Sequence, residues 1–106
     1  TALRNTEEDR AMLSRAVRIC LDDCPRQLAA IRAALERGDA TALEHIAHRM
    51  KSGLKAVAAE AAAQVAGRVE ALAAGGDIPA SRLAVADLHH ELDRLTPMLR
   101  PLLEAA

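Results

Sequence analysis

Two histidines and two lysines lie within an otherwise apolar helical segment, HIAHRMKSGLKAV, at residues 45–57. His48 is followed by Lys51 and Lys55 at i+3 and i+7 and by Ser52 at i+4. At about 100° per residue, these side chains share a flank that points away from the apolar stripe of the helix, toward solvent. Neutral imidazole is a nucleophile, and neighbouring ammonium groups suit a ring that becomes anionic by phosphorylation. The spacing therefore indicates a phosphoryl-accepting His48 beside an exposed Lys51.

These histidines and lysines are also compatible with simpler interpretations. His48 by itself is compatible with a plain surface residue, and the two lysines are compatible with an ordinary solvated face. His45 and His48 at i, i+3 supply only two ligands, which is a weak basis for metal binding. His89 and His90 are adjacent and diverge on their helix, so they do not converge into a site. We therefore predict no metal site.

The elements that must position these residues are predicted to be helices. The chain is rich in alanine and contains no Phe, Tyr or Trp, a composition that favours helix over strand. Apolar residues recur at steps of three and four along the chain. Pro25 separates the first two helical segments at a kink. The predicted helix caps are Gly38, Asp39, Gly75, Gly76 and either Asp77 or Ser81. Pro97 and Pro101 should kink the last helix without ending it. The predicted helices cover residues 7–23, 25–37, 40–57, 60–74 and 79–104.

Short connectors between these segments predict the architecture. Long helices joined by a few residues lie antiparallel, and their apolar stripes face one shared core. We predict an all-α fold, an up-and-down antiparallel four-helix bundle with an extra N-terminal helix. With 106 residues the chain fits a single domain, residues 1–106.

Composition excludes several functional classes. A formal net charge of -1 argues against a nucleic-acid partner, and the absence of aromatic residues argues against base stacking. No segment is apolar enough to span a membrane, and no signal peptide is apparent, so we expect a cytoplasmic protein. Cys20 and Cys24 are interpreted as two small buried thiols rather than a disulfide framework. The chain begins with Thr1 rather than Met, which suggests a piece of a longer protein or a processed chain.

The segment AHRMKSGLKAVAA, residues 47–59, resembles the signature of histidine-containing phosphotransfer domains. That signature is a phospho-accepting His followed by any residue, an apolar residue, Lys, and then Gly or Ser; it is matched in order by His48, Met50, Lys51 and Ser52. The resemblance extends over LAAIRAALERGDATALEHIAHRM before this segment and VEALAAGGD after it. Lys55 departs from the small residue usual at its position, and Ala58 replaces a glycine.

The resemblance implies a step in a multistep two-component phosphorelay. His48 would take a phosphoryl group from the aspartyl phosphate of one receiver domain and pass it to another, with Lys51 and Lys55 stabilising the phosphate. Ser52, Glu44 and His45 are expected to contribute to receiver docking.

The resemblance also implies a domain without kinase activity, ATP site or cofactor of its own, because the receiver supplies Mg²⁺. The implied partners are response-regulator receivers, and a hybrid sensor histidine kinase if the domain forms its tail. We expect a monomer with no nucleic-acid or membrane contact.

Two alternatives belong to other functional classes. TALEHIAHRMKSGLKAV has some features of a helix-turn-helix DNA-binding motif, but Lys51 stands where the turn glycine is needed and Gly53 comes two residues late. A helical interaction module without phosphotransfer is the second alternative, in which His48 would have no chemical role.

Overall fold

The computed structural model describes residues 6–104, which form four helices joined by connectors of two or three residues. The helices are α1 (Thr6–Arg37), α2 (Ala40–Ala56), α3 (Glu60–Ala74) and α4 (Ile78–Glu104). Connectors this short require the chain to reverse, so successive helices run antiparallel. No strand occurs within residues 6–104. The predicted all-α, up-and-down four-helix bundle is confirmed.

The four helices surround one aliphatic core. α1 packs against α2 and α4, and α3 packs against the same two helices. The largest side chains that are fully buried come from three of the helices: Ile31, Leu43, Met50, Leu54 and Leu88. α3 contributes mainly small core residues, including Ala62, Ala63, Ala66 and Ala73. These alanines let α3 approach its neighbours closely, which compensates for the missing aromatic volume.

The extra N-terminal helix predicted at residues 7–23 is not separate from the helix predicted at 25–37. α1 continues from Thr6 to Arg37 with Pro25 inside it. Proline removes one backbone hydrogen bond, but its ring is exposed, and Val17 and Ile31 on either side of it are fully buried. Packing along both halves of the stripe therefore holds a single helix across the proline.

The helix ends use the predicted capping residues. The carboxylate of Asp39 accepts from the amide of Ala42 at 3.1 Å, and that of Asp77 accepts from the amide of Ala80 at 3.0 Å. Ser81, the alternative cap, is instead buried and donates its hydroxyl hydrogen bond to the Asp77 carbonyl. α2 ends at Ala56, and Ala58 adopts a left-handed φ of 57°, a position that glycine fills more easily. Asp77 is thus the cap of α4.

α4 runs through both of its internal prolines, as predicted, and ends at Glu104. α1 and α4 have 32 and 27 residues, whereas α2 and α3 have 17 and 15. At about 1.5 Å per residue, α1 alone accounts for the longest dimension of the molecule, 48 Å. The two long helices therefore extend beyond the short pair, and α2 and α3 form a compact block on one side.

Candidate functional site

The rotation of α2 about its axis places His48 at the surface. Five core residues of this helix, Leu43, Ile46, Ala47, Met50 and Leu54, are buried and fix its orientation. His48 lies on the side away from them, and its side chain is 58% exposed. The predicted exposure of the imidazole is confirmed, and it places the ring where a partner protein can reach it.

A carboxylate from the neighbouring helix holds this imidazole. Glu70, on α3, has one carboxylate oxygen, Oε2, 2.8 Å from Nδ1 of His48. A carboxylate in its ionised form can only accept hydrogen bonds, so Nδ1 carries the proton in this contact. In the neutral ring, the other nitrogen, Nε2, then bears the lone pair, and it makes no hydrogen bond to any residue of the described chain. The contact with Glu70 thus favours the neutral tautomer whose lone pair is on Nε2.

The second oxygen of Glu70 binds Lys51. Nζ of Lys51 lies 2.6 Å from Oε1 of Glu70, so one carboxylate joins the imidazole and the ammonium group. The hydrogen bond from Lys51, and to a smaller degree that from His48, lowers the pKa of Glu70 below its usual 4.5, against the opposing effect of burial. Glu70 is therefore ionised at neutral pH.

The environment of Lys51 differs from the prediction. The helical periodicity predicts an exposed cation at this lysine, but its side chain is only 24% exposed and is paired with Glu70. The reason is that α3 packs beside α2, so the aliphatic stem of Lys51 lies against α3 before the ammonium group reaches Glu70. This prediction of exposure was wrong.

Gly67 provides room for that stem. A Cβ atom at Gly67 would lie 3.3 Å from Cδ of Lys51, which is closer than side chains normally approach. Gly67 precedes Glu70 by one helical turn, so the glycine and the carboxylate lie on the same side of α3. The absence of a side chain at Gly67 therefore lets Lys51 lie along α3 toward Glu70.

The remaining predicted site residues lie around this centre. Ser52 is exposed and donates a hydrogen bond to the backbone carbonyl of His48 at 3.2 Å. His45 and Lys55 are also exposed, and Glu44 is half-buried. Neither Lys55 nor Glu44 forms an ion pair with another residue of the part that the structure describes. These four residues occupy turns of α2 that adjoin His48.

Glu70 and Gly67 were not identified as site residues from the sequence. Both belong to α3, and the position of α3 against α2 depends on tertiary packing. One available signal was the placement of Glu70 directly after Val69, a core residue of the α3 stripe. A charged residue at the edge of an apolar stripe lies beside the helix interface, where it can meet a neighbouring side chain.

The other histidines and the alternative sites are located elsewhere. His89 contacts Arg32 of α1 through Nδ1, and its Nε2 lies 3.5 Å from Asp93, whereas His90 is exposed. Within residues 6–104, no cluster of three or more His, Cys, Asp or Glu side chains could hold a metal ion. The helix-turn-helix alternative is contradicted, because Lys51 and Gly53 lie inside a continuous α2 with no turn.

Comparison with protein families gives a match. A family model described as Hpt domain matches residues 15–96, which include α2, α3 and the His48–Glu70–Lys51 cluster. No curated protein and no solved structure matches the chain. Among the described helices, none has both the length and the apolar character that crossing a membrane requires. Since the match covers most of the chain, the protein belongs to the Hpt domain family and has a phosphotransfer role in two-component signalling.

Proposed function

We propose that His48 is the phosphoacceptor of this domain, which receives a phosphoryl group from the aspartyl phosphate of one receiver domain and passes it to the aspartate of another. The observation that carries the proposal is the pairing of Nδ1 with Glu70, which leaves Nε2 available on an exposed face of α2. An exposed nucleophile on a rigid helix suits a reaction in which the partner brings the phosphoryl group.

The contacts of His48 indicate how it would react. The Nε2 lone pair attacks phosphorus, the bond from phosphorus to the aspartate oxygen breaks, and that oxygen takes the electron pair as the receiver carboxylate is restored. The imidazole gains positive charge as Nε2 bonds to phosphorus, and Glu70 stabilises that charge through its hydrogen bond with Nδ1–H. The reverse attack by the next receiver's aspartate returns the ring to its neutral form.

Lys51 supplies a cation beside the reacting nitrogen. Its ammonium group has three N–H donors, and one of them is occupied by Oε1 of Glu70. The other two remain available for phosphoryl oxygens, so Lys51 can hold Glu70 and the phosphoryl group together. Lys55 lies one turn further along the same flank and contributes a more distant charge.

The receiver provides the rest of the reaction centre in this proposal. The acidic pocket of the receiver would hold Mg²⁺, which would supply charge neutralisation for the phosphoryl oxygens, whereas this domain would bring a nucleophile and a cation. Docking involves the surface around His48, to which Ser52, His45 and Glu44 belong. The domain acts as a monomer and has no kinase activity of its own.

Phosphoryl labelling of variants in which one histidine at a time is replaced tests the assignment. With a phosphorylated cognate receiver and Mg²⁺, the wild-type domain should acquire one label that is acid-labile and base-stable, as expected of a phosphoramidate. His48→Gln should abolish the label, since an amide cannot attack phosphorus, whereas His45→Gln and His90→Gln should retain it. Circular dichroism checks that each variant is folded. Labelling that survives His48→Gln would refute the assignment, and a wild-type domain that binds phosphorylated receivers without accepting a label would favour an interaction module.

A further inference from the structure

A pair of thiols lies on α1, away from the His48 site. Cys20 and Cys24 are one helical turn apart, and their Sγ atoms are separated by 3.4 Å. Both residues line an open cleft of about 450 Å³ between α1 and α4, whose walls also include Leu28, Leu92 and Leu99. Neither thiol takes part in a disulfide. Cys20 is buried and Cys24 is half-buried at the wall of this cleft, so the pair combines close approach with access for a small oxidant only.

The two sulfurs have unequal acidity. The hydrogen bond between the thiols lowers the pKa of Cys20 despite its burial, because Cys24 stabilises the Cys20 thiolate as a donor. The same contact and burial raise the pKa of Cys24. Asp23, the neighbouring carboxylate, raises both. Since the thiolate is the reactive form, Cys20 is the better nucleophile and Cys24 is the thiol positioned to attack it afterwards.

Pro25 weakens the helix at this turn. Residues at i and i+4 of a helix have Cβ atoms about 5–6 Å apart, and a disulfide needs about 3.5–4.5 Å. The turn must therefore tighten for a bond to form. Pro25 has no N–H, so the carbonyl of Leu21, four residues earlier, lacks its usual intrahelical donor. The turn that contains both cysteines thus lacks one backbone hydrogen bond and deforms more easily than a fully bonded helical turn.

We propose that Cys20 and Cys24 form a peroxide-sensitive dithiol site that closes to an intrahelical disulfide. The Cys20 thiolate attacks hydrogen peroxide, an S–O bond forms as the O–O bond breaks, and the departing hydroxide takes up a proton to become water. The Cys24 sulfur then attacks the Cys20 sulfenic acid, the S–S bond forms, and the S–O oxygen leaves as a second water with the proton of Cys24. The two sulfurs lose two electrons in total, and peroxide gains them.

The bond formed in this way is easily reversed. Closing it draws the helical turn away from its relaxed geometry, and strained disulfides are reduced more readily than structural ones. Closure of the strained turn therefore weakens the packing of α1 against α4. A small-molecule thiol such as glutathione reduces the disulfide and restores the dithiol. The dithiol site is independent of His48, because it lies on a different helix and includes neither His48, Lys51 nor Glu70.

Mass spectrometry of the peroxide-treated domain tests the proposal. The intact wild-type chain should lose two hydrogens, remain monomeric on a non-reducing gel, and resist alkylation at both cysteines until glutathione is added. Cys24→Ser should instead carry a sulfenic acid at Cys20, which dimedone traps. In Cys20→Ser only Cys24 can be oxidised, so dimedone labelling after the same treatment should be slower. An oxygen-bearing wild-type chain with Cys24 still free, or a disulfide between two chains, would overturn the site.

A proline variant tests the role of the weakened turn. Pro25→Ala restores the N–H that can bond to the Leu21 carbonyl, and the ring it replaces is exposed. Sulfenic acid should form at Cys20 at the wild-type rate in this variant, whereas disulfide closure should be several-fold slower. Hydrogen exchange in the oxidised wild type should increase at the amides of residues 20–24. Equal closure rates in Pro25→Ala and wild type, or unchanged exchange, would contradict closure by tightening of this turn.

Discussion

At the scale of single residues, Glu70 binds two side chains at once. One oxygen fixes the His48 ring and its tautomer, and the other fixes the Lys51 ammonium group. In the proposed mechanism, the same carboxylate orients the nucleophile and positions the ammonium group of Lys51. Because His48 and Lys51 share this carboxylate, removing the Lys51 ammonium group also changes the electrostatic environment of His48.

Lys51→Ala should slow phosphoryl transfer to His48 by about tenfold, which corresponds to about 1.4 kcal/mol of lost transition-state stabilisation. The physical reason is the loss of the ammonium group that the proposed mechanism assigns to the phosphoryl oxygens. Stability should fall by about 1 kcal/mol or less, because the pair with Glu70 is partly exposed. Rapid-quench transfer kinetics and urea unfolding measure the two effects.

Lys55→Ala is the matched control for this variant. It removes the same charge from an exposed lysine one turn further along α2 that has no ion-pair partner in the described residues. Its effect on the transfer rate should be clearly smaller than that of Lys51→Ala. Equal effects in the two variants would mean that the general charge of this flank matters, and that the contact of Lys51 with Glu70 does not.

Glu70→Gln should change how stability depends on pH. The pKa of Glu70 in the folded chain is lowered, so its interactions stabilise the wild type above the usual value of 4.5, and this stabilisation is lost as pH falls through the lower, folded pKa. The glutamine variant has no such proton to bind. Urea unfolding of both proteins at pH 7 and pH 3 should show a larger wild-type advantage at pH 7. A constant difference across this range would contradict the assigned ion pair.

At the scale of elements, the packing of α3 against α2 determines the path of the Lys51 side chain. Gly67 leaves the space that the lysine stem occupies, at the cost of a weaker helix in the middle of α3. Gly67 lowers the helix propensity of α3, and its presence is explained by the space that it gives to the Lys51 side chain of α2.

Gly67→Ala should separate stability from activity. The substitution raises helix propensity by up to about 1 kcal/mol, but its Cβ displaces the Lys51 stem and weakens the contact with Glu70. We expect a stability that is unchanged or higher, together with slower transfer to His48. Thermal unfolding and transfer kinetics provide the two readouts.

Gly53→Ala serves as the control for Gly67→Ala. Gly53 lies inside α2, and a Cβ there would meet no atom within 4 Å. It should gain helix propensity without any change in the transfer rate. If Gly53→Ala slowed transfer as much as Gly67→Ala, the effect would come from helix stiffening and not from displacement of Lys51.

At the scale of the whole molecule, the bundle leaves one face of α2 exposed, and the proposed function makes this face the docking surface. Ser52→Trp should weaken binding to a cognate receiver without unfolding the domain, since the indole would stand one turn from His48 on an exposed surface. Titration calorimetry measures the affinity, and circular dichroism checks the fold.

Ala86→Trp provides the comparison for Ser52→Trp. It places the same ring on an exposed position of α4, the helix diagonally opposite α2 in the bundle. Binding should be unaffected in this variant. A receiver that binds Ser52→Trp normally but fails to bind Ala86→Trp would place the docking surface on the far side of the bundle.

The local sequence pattern was sufficient to predict the fold and to identify His48 as the centre of the candidate site. Apolar steps of three and four define the helical faces, and caps such as Asp39 and Asp77 define their ends, because these signals act between residues close in sequence. The exposure of His48 followed from the same periodicity, since a core stripe on one side of α2 leaves the opposite side to solvent.

Only the tertiary structure decided how the helices complete the site. The continuity of α1 through Pro25 depends on burial along both halves of the helix, and packing can outweigh one missing hydrogen bond. The contacts of Glu70 with His48 and Lys51 join residues 22 and 19 positions apart. Periodicity assigns each residue to a face of its own helix, but the rotation and height of α3 relative to α2 come from the fit of their core side chains, which no local pattern specifies.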